Sequence, residues 1–148
     1  MQMTEGGVTA AKGFVAAGIY AGIKKDKKDM AMIYSKVPCV AAGTFTTNIV
    51  KAAPVKWDQD VVYHSEKAQA VVANSGVANA CTGEEGMRYC RETARTAAEL
   101  LNISEKEVLV ASTGVIGRQL PIDIIKEGVV SMVPLLSESK EAGILAAE

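Results

Sequence analysis

A chain of 148 residues with 16 Lys and Arg against 17 Asp and Glu carries a net charge of −1. That balance gives no global field for nucleic acid or an anionic membrane. Hydrophobic residues make up 49% and aromatics only 5%, which suits one packed domain over residues 1–148 with a core of Ala, Val, Ile, Leu and Met.

In chain order, residues 1–7 hold an acid and two glycines but no basic region, which argues against a signal peptide. Residues 8–23 are broken by Gly13, Gly18 and Gly22, so strands and turns are expected there rather than a helix. The apolar part, residues 14–23, is far short of the roughly 20 residues that span a bilayer. Lys24, Lys25, Lys27 and Lys28, interrupted by Asp26 and closed by Asp29, read as a solvated turn and not as a nucleic-acid patch.

Residues 29–36 (DMAMIYSK) alternate as a strand, with Met30, Met32 and Tyr34 on one face. Residues 39–47 (CVAAGTFTT) are a second strand candidate, separated from the first at Val37-Pro38. Residues 48–55 allow a helical turn that Pro54 limits. Val61, Val62 and Tyr63 lead to His64 at an expected strand end. Residues 68–73 (AQAVVA) suit a buried strand that stops at a turn signal, Asn74-Ser75-Gly76.

Residues 83–102 give the clearest helix: Met87, Cys90, Ala94, Ala97, Ala98 and Leu101 share a face. Thr82 is the expected N-cap, and Glu84 and Glu85 suit the first turn. Ser104 and Glu107 have capping-box spacing. Residues 108–111 (VLVA) form another buried strand feeding a loop, Ser112-Thr113-Gly114-Val115-Ile116-Gly117. Pro121 opens a helix to about residue 136, with Ile122, Ile125, Val129, Met132 and Val133 on one face. A last helical stretch covers residues 139–148. This alternation predicts an α/β (α+β layered) fold.

Little in the chain has an obvious chemical role. His64 is the single histidine, so a histidine metal cluster is ruled out and a surface or packing role is expected. The three cysteines, Cys39, Cys81 and Cys90, fit neither a disulfide framework nor a zinc knuckle. They are expected to be reduced, buried thiols of a cytoplasmic protein. The Ser112-Thr113-Gly114 segment puts a hydroxyl and main-chain N–H groups at the carboxyl end of a strand. Such donors suit a phosphate or a developing oxyanion, and equally a tight turn. It is not a Walker loop, for it lacks the Gly-Lys-Ser/Thr ending.

Four stretches together resemble the ornithine acetyltransferase (glutamate N-acetyltransferase) family of arginine biosynthesis. They are Gly6-Gly7-Val8-Thr9-Ala10-Ala11-Lys12-Gly13-Phe14; Phe45-Thr46-Thr47-Asn48 with Ala52-Ala53-Pro54-Val55; Asn74-Ser75-Gly76 with Ala78-Asn79-Ala80-Cys81-Thr82-Gly83; and Ser112-Thr113-Gly114-Val115-Ile116-Gly117. The resemblance implies the α chain of a DmpA-like fold, completed by a β chain cut from the same precursor, in an α2β2 tetramer. It implies ping-pong transfer of acetyl from N-acetylornithine to glutamate, giving ornithine and N-acetylglutamate, through the N-terminal threonine of the β chain. No nucleophile is then expected in this chain, and no cofactor or metal. Acetyl-CoA as a further donor stays open. The family's oxyanion hole maps onto the Thr113 hydroxyl and the Gly114 N–H. The pattern also implies an α chain that continues past Glu148 through a Thr-containing substrate segment and a Lys-Gly-rich segment. A self-cleaving amidase of similar architecture, and a binding module using the glycine loop as an anion site, are the competing readings.

Overall fold

The computed structural model describes residues 7–65 and 67–148. Residues 1–6, which hold most of the N-terminal segment discussed above, and residue 66 lie outside that description. The elements follow as β1 (Phe14–Ile19), β2 (Met30–Cys39), α1 (Ala53–His64), β3 (Ala68–Val77), α2 (Gly83–Leu101), β4 (Val108–Val115), α3 (Ile122–Met132) and α4 (Lys140–Ala147). The strands form one four-stranded sheet in the order β1-β2-β3-β4. The first three are antiparallel, and β4 runs parallel to β3 because α2 carries the chain back across the sheet. The architecture is α/β, as the alternating pattern requires.

The register puts Ala17, Met32, Val72 and Val110 in one row across the sheet. That face packs on Trp57 and Val61 of α1, Ala94 and Ala97 of α2, and Ile125 and Val129 of α3, all buried. Side chains alternate across a strand, so Ile33, Val71, Ala73 and Leu109 stand on the opposite face. They are only half-buried, and Ala111 beside them is exposed. On that second face α4 lies against β1: a Cβ on Gly18 would meet the Leu145 carbonyl oxygen at 2.0 Å.

The two sheet edges are treated differently. β1 is closed by Ser137, which exchanges two main-chain hydrogen bonds with Ala16 at 3.0 and 3.1 Å. At β4, α1 supplies side chains instead of a strand. Trp57 Nε1–H donates to the Val108 carbonyl at 2.9 Å, and the Asp58 carboxylate accepts the Val110 N–H at 2.9 Å. Unpaired edge groups invite aggregation, and α1 fills the first of them.

Several expectations change. Residues 39–47 form no strand beyond Cys39. The pairing of β2 with β3 shifts register between Tyr34 and Cys39, where Pro38 has no N–H to give. Residues 40–48 then leave the sheet, with Val40 88% exposed. Pro54 begins a helix rather than limiting one. It occupies the first turn of α1, where a missing N–H costs nothing. His64 therefore ends a helix, not a strand. Asn74-Ser75-Gly76 and Ser112-Thr113-Gly114 are not a turn and a loop but paired parts of β3 and β4. α3 ends at Met132 and passes into a short 3-10 turn, Val133–Leu135. The helix over residues 83–102 and the Ser104–Glu107 capping box are observed. Thr82 stands at the N-cap of α2 without capping it through its side chain. Its hydroxyl donates to Asn79 Oδ1 at 2.6 Å instead.

Candidate active site at the open corner of the sheet

The segments that carry chemistry converge where β3 and β4 run side by side. Asn74 pairs with Ser112, Ser75 with Thr113, and Gly76 with Gly114. Alternation sends the Asn74 and Ser112 side chains toward the helices and that of Thr113 to the half-open face. Asn74 is buried; its Oδ1 accepts the Ser112 hydroxyl at 2.5 Å and its amide donates to the Val77 carbonyl at 3.0 Å. This polar pair ties the two strands together directly behind Thr113.

Thr113 and Gly114 are both exposed. Main-chain groups of a strand residue also alternate, pointing to one neighbour and then the other. Val108 and Val110 turn theirs away from β3, toward α1. Val115 turns its carbonyl toward β3, where it accepts the Ala78 N–H at 3.0 Å. The two-residue period therefore puts the Gly114 N–H on the side of β4 away from β3, at the edge of the sheet. A hydroxyl on the open face and an N–H on the adjoining edge form a corner with two donors, both on exposed residues.

Glycine at these positions is a steric requirement. Gly114 has φ +132°, and a Cβ there would lie 2.3 Å from the Gly76 carbonyl carbon. Gly76 has φ +112°, and its own Cβ would lie 2.9 Å from Ile23 Cγ2 and 2.8 Å from Lys24 Cγ. The turn between β1 and β2 thus presses on Gly76, and Gly76 on Gly114.

Beside the corner opens a cavity of about 240 Å³, lined in part by Thr113, Ser75, Ala73, Asp29 and Lys28. Asp29 is 2% exposed. Its carboxylate accepts the N–H groups of Ala21 (2.6 Å), Gly22 (3.1 Å), Ile23 (2.6 Å) and Lys24 (2.8 Å). Sequence reading missed this residue, because nothing in Lys-Lys-Asp-Lys-Lys-Asp separates a buried acid from a solvated one. Its one signal was its position, immediately before the alternating strand.

The other candidates are not brought to this corner. His64 is exposed and bonded within its own helix turn, to Asp60. Cys90 is buried in the core as expected. Burial, helped by the charge of Asp58, pushes its thiol up to about 12. Cys39 is half-buried, while Cys81 is exposed, against the expected burial. Cys81 takes a left-handed backbone, φ +58°, in the turn before α2. Asp58 is held high as well, at about 6, because burial outweighs the bond from Val110. Among the described residues no group of three or more His, Cys, Asp or Glu stands together to hold a metal ion. No helix among them is long and apolar enough to cross a membrane.

Known proteins resemble this chain in sequence and fold. The ArgJ family model matches residues 15–148. The chain is 50% identical over 99% of its length to the arginine biosynthesis bifunctional protein ArgJ of Caldanaerobacter subterraneus, covering 36% of that protein. It is 54% identical over its whole length to the ArgJ protein of Symbiobacterium thermophilum, covering 37%. It thus spans little more than a third of these relatives. Among solved structures, ArgJ from Bacillus halodurans superposes with a TM-score of 0.92 at 39% identity, over 98% of this chain and 75% of that one. Ornithine acetyltransferase from Mycobacterium tuberculosis, complexed with ornithine, gives 0.92 at 42% identity, over 98% and 78%. With the family model matching all but its first residues and both folds aligned nearly end to end, the chain belongs to the ArgJ family.

Proposed function

We propose that this chain supplies the oxyanion-stabilising half of an acetyltransferase active site, with Thr113 and Gly114 as the two donors. The observation that carries the reading is their placement. One hydroxyl and one main-chain N–H meet at an open corner of the sheet, fixed from behind by the Asn74–Ser112 bond and by Gly76. Preorganised donors of this kind need no rearrangement as charge develops, which is where their catalytic value lies.

The reaction is transfer of acetyl from N2-acetyl-L-ornithine to L-glutamate, in keeping with the names of the relatives. The nucleophile is the N-terminal threonine of a β chain released from the same precursor. Its hydroxyl oxygen attacks the acetyl carbonyl carbon while its own α-amino group takes the hydroxyl proton. The carbonyl electrons move onto oxygen, and that oxyanion accepts hydrogen bonds from the Thr113 hydroxyl and the Gly114 N–H. Collapse breaks the C–N bond, and ornithine leaves with the proton. The acetyl ester left behind is attacked by the glutamate amine through a second oxyanion at the same donors, giving N-acetylglutamate. Two half-reactions through one covalent intermediate give ping-pong kinetics. The half-open apolar face of the sheet, with Ile33, Val71 and Leu109 only half-buried, supports burial against further protein, here the β chain of an α2β2 assembly in the cytoplasm. Acetyl-CoA as an additional donor would enter the same acetyl-threonine intermediate.

The test is to express this region together with the downstream part of its precursor and follow acetyl from N-acetylornithine with and without glutamate. Acetyl should appear on glutamate, and ornithine release should depend on glutamate under turnover. Release of free acetate at the same rate without glutamate would mean that water is the acceptor and the protein a hydrolase.

A further inference from the structure

We propose that Asp29 is a positioning residue for the Thr113–Gly114 pair, acting through the turn formed by residues 20–28 and through Ser75. The inference rests on the oxyanion reading of that pair. A carboxyl group removed from water is tolerated only if its lone pairs are filled. Those of Asp29 are filled by four consecutive main-chain N–H groups, 2.6 to 3.1 Å away. Asp29 makes no ion pair among the described residues, and its partner is the backbone of the turn itself. Oδ1 takes Ala21 alone, whereas Oδ2 takes Gly22, Ile23 and Lys24 together.

What sets this apart from an ordinary turn anchor is what the anchored turn touches. The side chains of Ile23 and Lys24 lie against Gly76, and the Gly76 backbone is the surface on which Gly114 rests. Asp29 has a second route to the same place. Its main-chain carbonyl accepts the Ser75 N–H at 2.8 Å, and Ser75 is the register partner of Thr113. Its N–H donates to the Ile19 carbonyl at 3.0 Å, so the residue is also fixed to the end of β1. Asp29 and Thr113 finally line one cavity. One buried carboxylate therefore sets the turn that sets Gly76, and its backbone sets the strand position facing Thr113. A donor must keep its place to a fraction of an ångström to favour an oxyanion, and this stack is what holds Gly114 there.

The experiment uses Asp29→Asn in the complete two-chain protein. Asparagine keeps the size but replaces one acceptor oxygen by an N–H2 group that cannot take the turn's N–H donors. The expected result is a kcat for acetyl transfer at least tenfold lower with KM for the acetyl donor within threefold. Hydrogen exchange should quicken at least tenfold at the amides of Ser75, Gly76 and Val115, with α2 protected as in the parent. A kcat within twofold of the parent overturns the proposal. So does loss of protection throughout α2, which would make Asp29 a residue of general stability. Should Asp29→Asn fail to accumulate, Ile23→Ala leaves every Asp29 bond in place and removes the Ile23 side-chain contact with Gly76, one of the two through which the turn meets it. It should lower kcat at least fivefold with Tm near the parent value, and an unchanged kcat would overturn the proposal. Thr113→Ala, measured alongside, separates the two claims. A normal rate there contradicts the oxyanion reading, whereas a low rate there with a normal rate in Asp29→Asn contradicts the positioning alone.

Discussion

Gly114 rests on Gly76, so closely that a Cβ on Gly114 would lie 2.3 Å from the Gly76 carbonyl carbon and 2.6 Å from the Val77 nitrogen. Both contacts are backbone, so nothing flexible can give way. Gly114→Ala should therefore combine a steric clash with a φ of +132° that alanine rarely adopts. Strain of this sort costs roughly 1–3 kcal/mol. Thermal denaturation should record a Tm several degrees lower, and the N–H should move enough to cut kcat at least tenfold. An alanine variant with parental Tm and kcat would mean that the corner is not packed as described.

The edge of β4 offers a second prediction. Trp57→Phe keeps most of the buried ring but leaves the Val108 carbonyl without the indole N–H that reaches it at 2.9 Å. An unsatisfied buried acceptor costs about 1–3 kcal/mol. A denaturation midpoint lower by that amount is expected, and an unchanged one would argue that water takes the place of the indole.

Asp58 gives a pH dependence. Burial raises its carboxyl from 3.8 to about 6 in the folded protein, so folding favours the protonated form. Its penalty is absent below about pH 4, grows as pH rises toward 6, and is complete above that. A rise from 3.8 to about 6 would correspond to roughly 3 kcal/mol in full burial. The side chain is partly exposed, and solvent screening reduces this to about 1 kcal/mol. Asp58→Asn keeps an acceptor for the Val110 N–H without the charge. It should match or exceed the parent by about 1 kcal/mol at pH 8 and show a flatter profile between pH 4 and 6. A variant clearly less stable than the parent at pH 8 would show the charged form to be favoured instead.

Much of this fold could be read from spacing alone. The apolar stripe of α2 and the alternation of β2 map directly onto burial, because each faces the core over many residues. The errors fall where tertiary pairing overrides local chemistry. Asn74-Ser75-Gly76 looks like a turn because each residue favours one. In the sheet, Asn74 and Ser112 satisfy each other, and Gly76 is needed for the approach of Gly114 rather than for a reversal. α1 is hard to see in the sequence although Ala53, Trp57 and Val61 keep a four-residue spacing, since Pro54 reads locally as a stop and only the fold makes it a start. Family resemblance, not residue chemistry, singles out Thr113 and Gly114. Their spacing alone fits a tight turn equally well, and only the register of β3 and β4 gives them a free edge and an open face. Asp29 was invisible, since its role depends on four main-chain groups and no side chain.

Cys90 should behave as a core residue. Its thiol is 2% exposed and held near 12, so almost no thiolate exists at neutral pH, and thiolate is the reactive form. Treatment with iodoacetamide at pH 8 followed by peptide mass spectrometry should leave Cys90 unmodified until the protein is denatured. Labelling of Cys90 in the native state at the rate of a free thiol would contradict the packing of α2 against the sheet.

Whether the Thr113 hydroxyl donates to an oxyanion is decided by kcat for acetyl transfer in the complete protein carrying Thr113→Ala or Thr113→Ser. Loss of one such donor typically costs 10²–10³ in rate. Alanine should therefore lower kcat by about that factor with KM little changed, while serine, which keeps the hydroxyl, should stay within about tenfold of the parent. An alanine variant that turns over within threefold of the parent would contradict the assignment of Thr113.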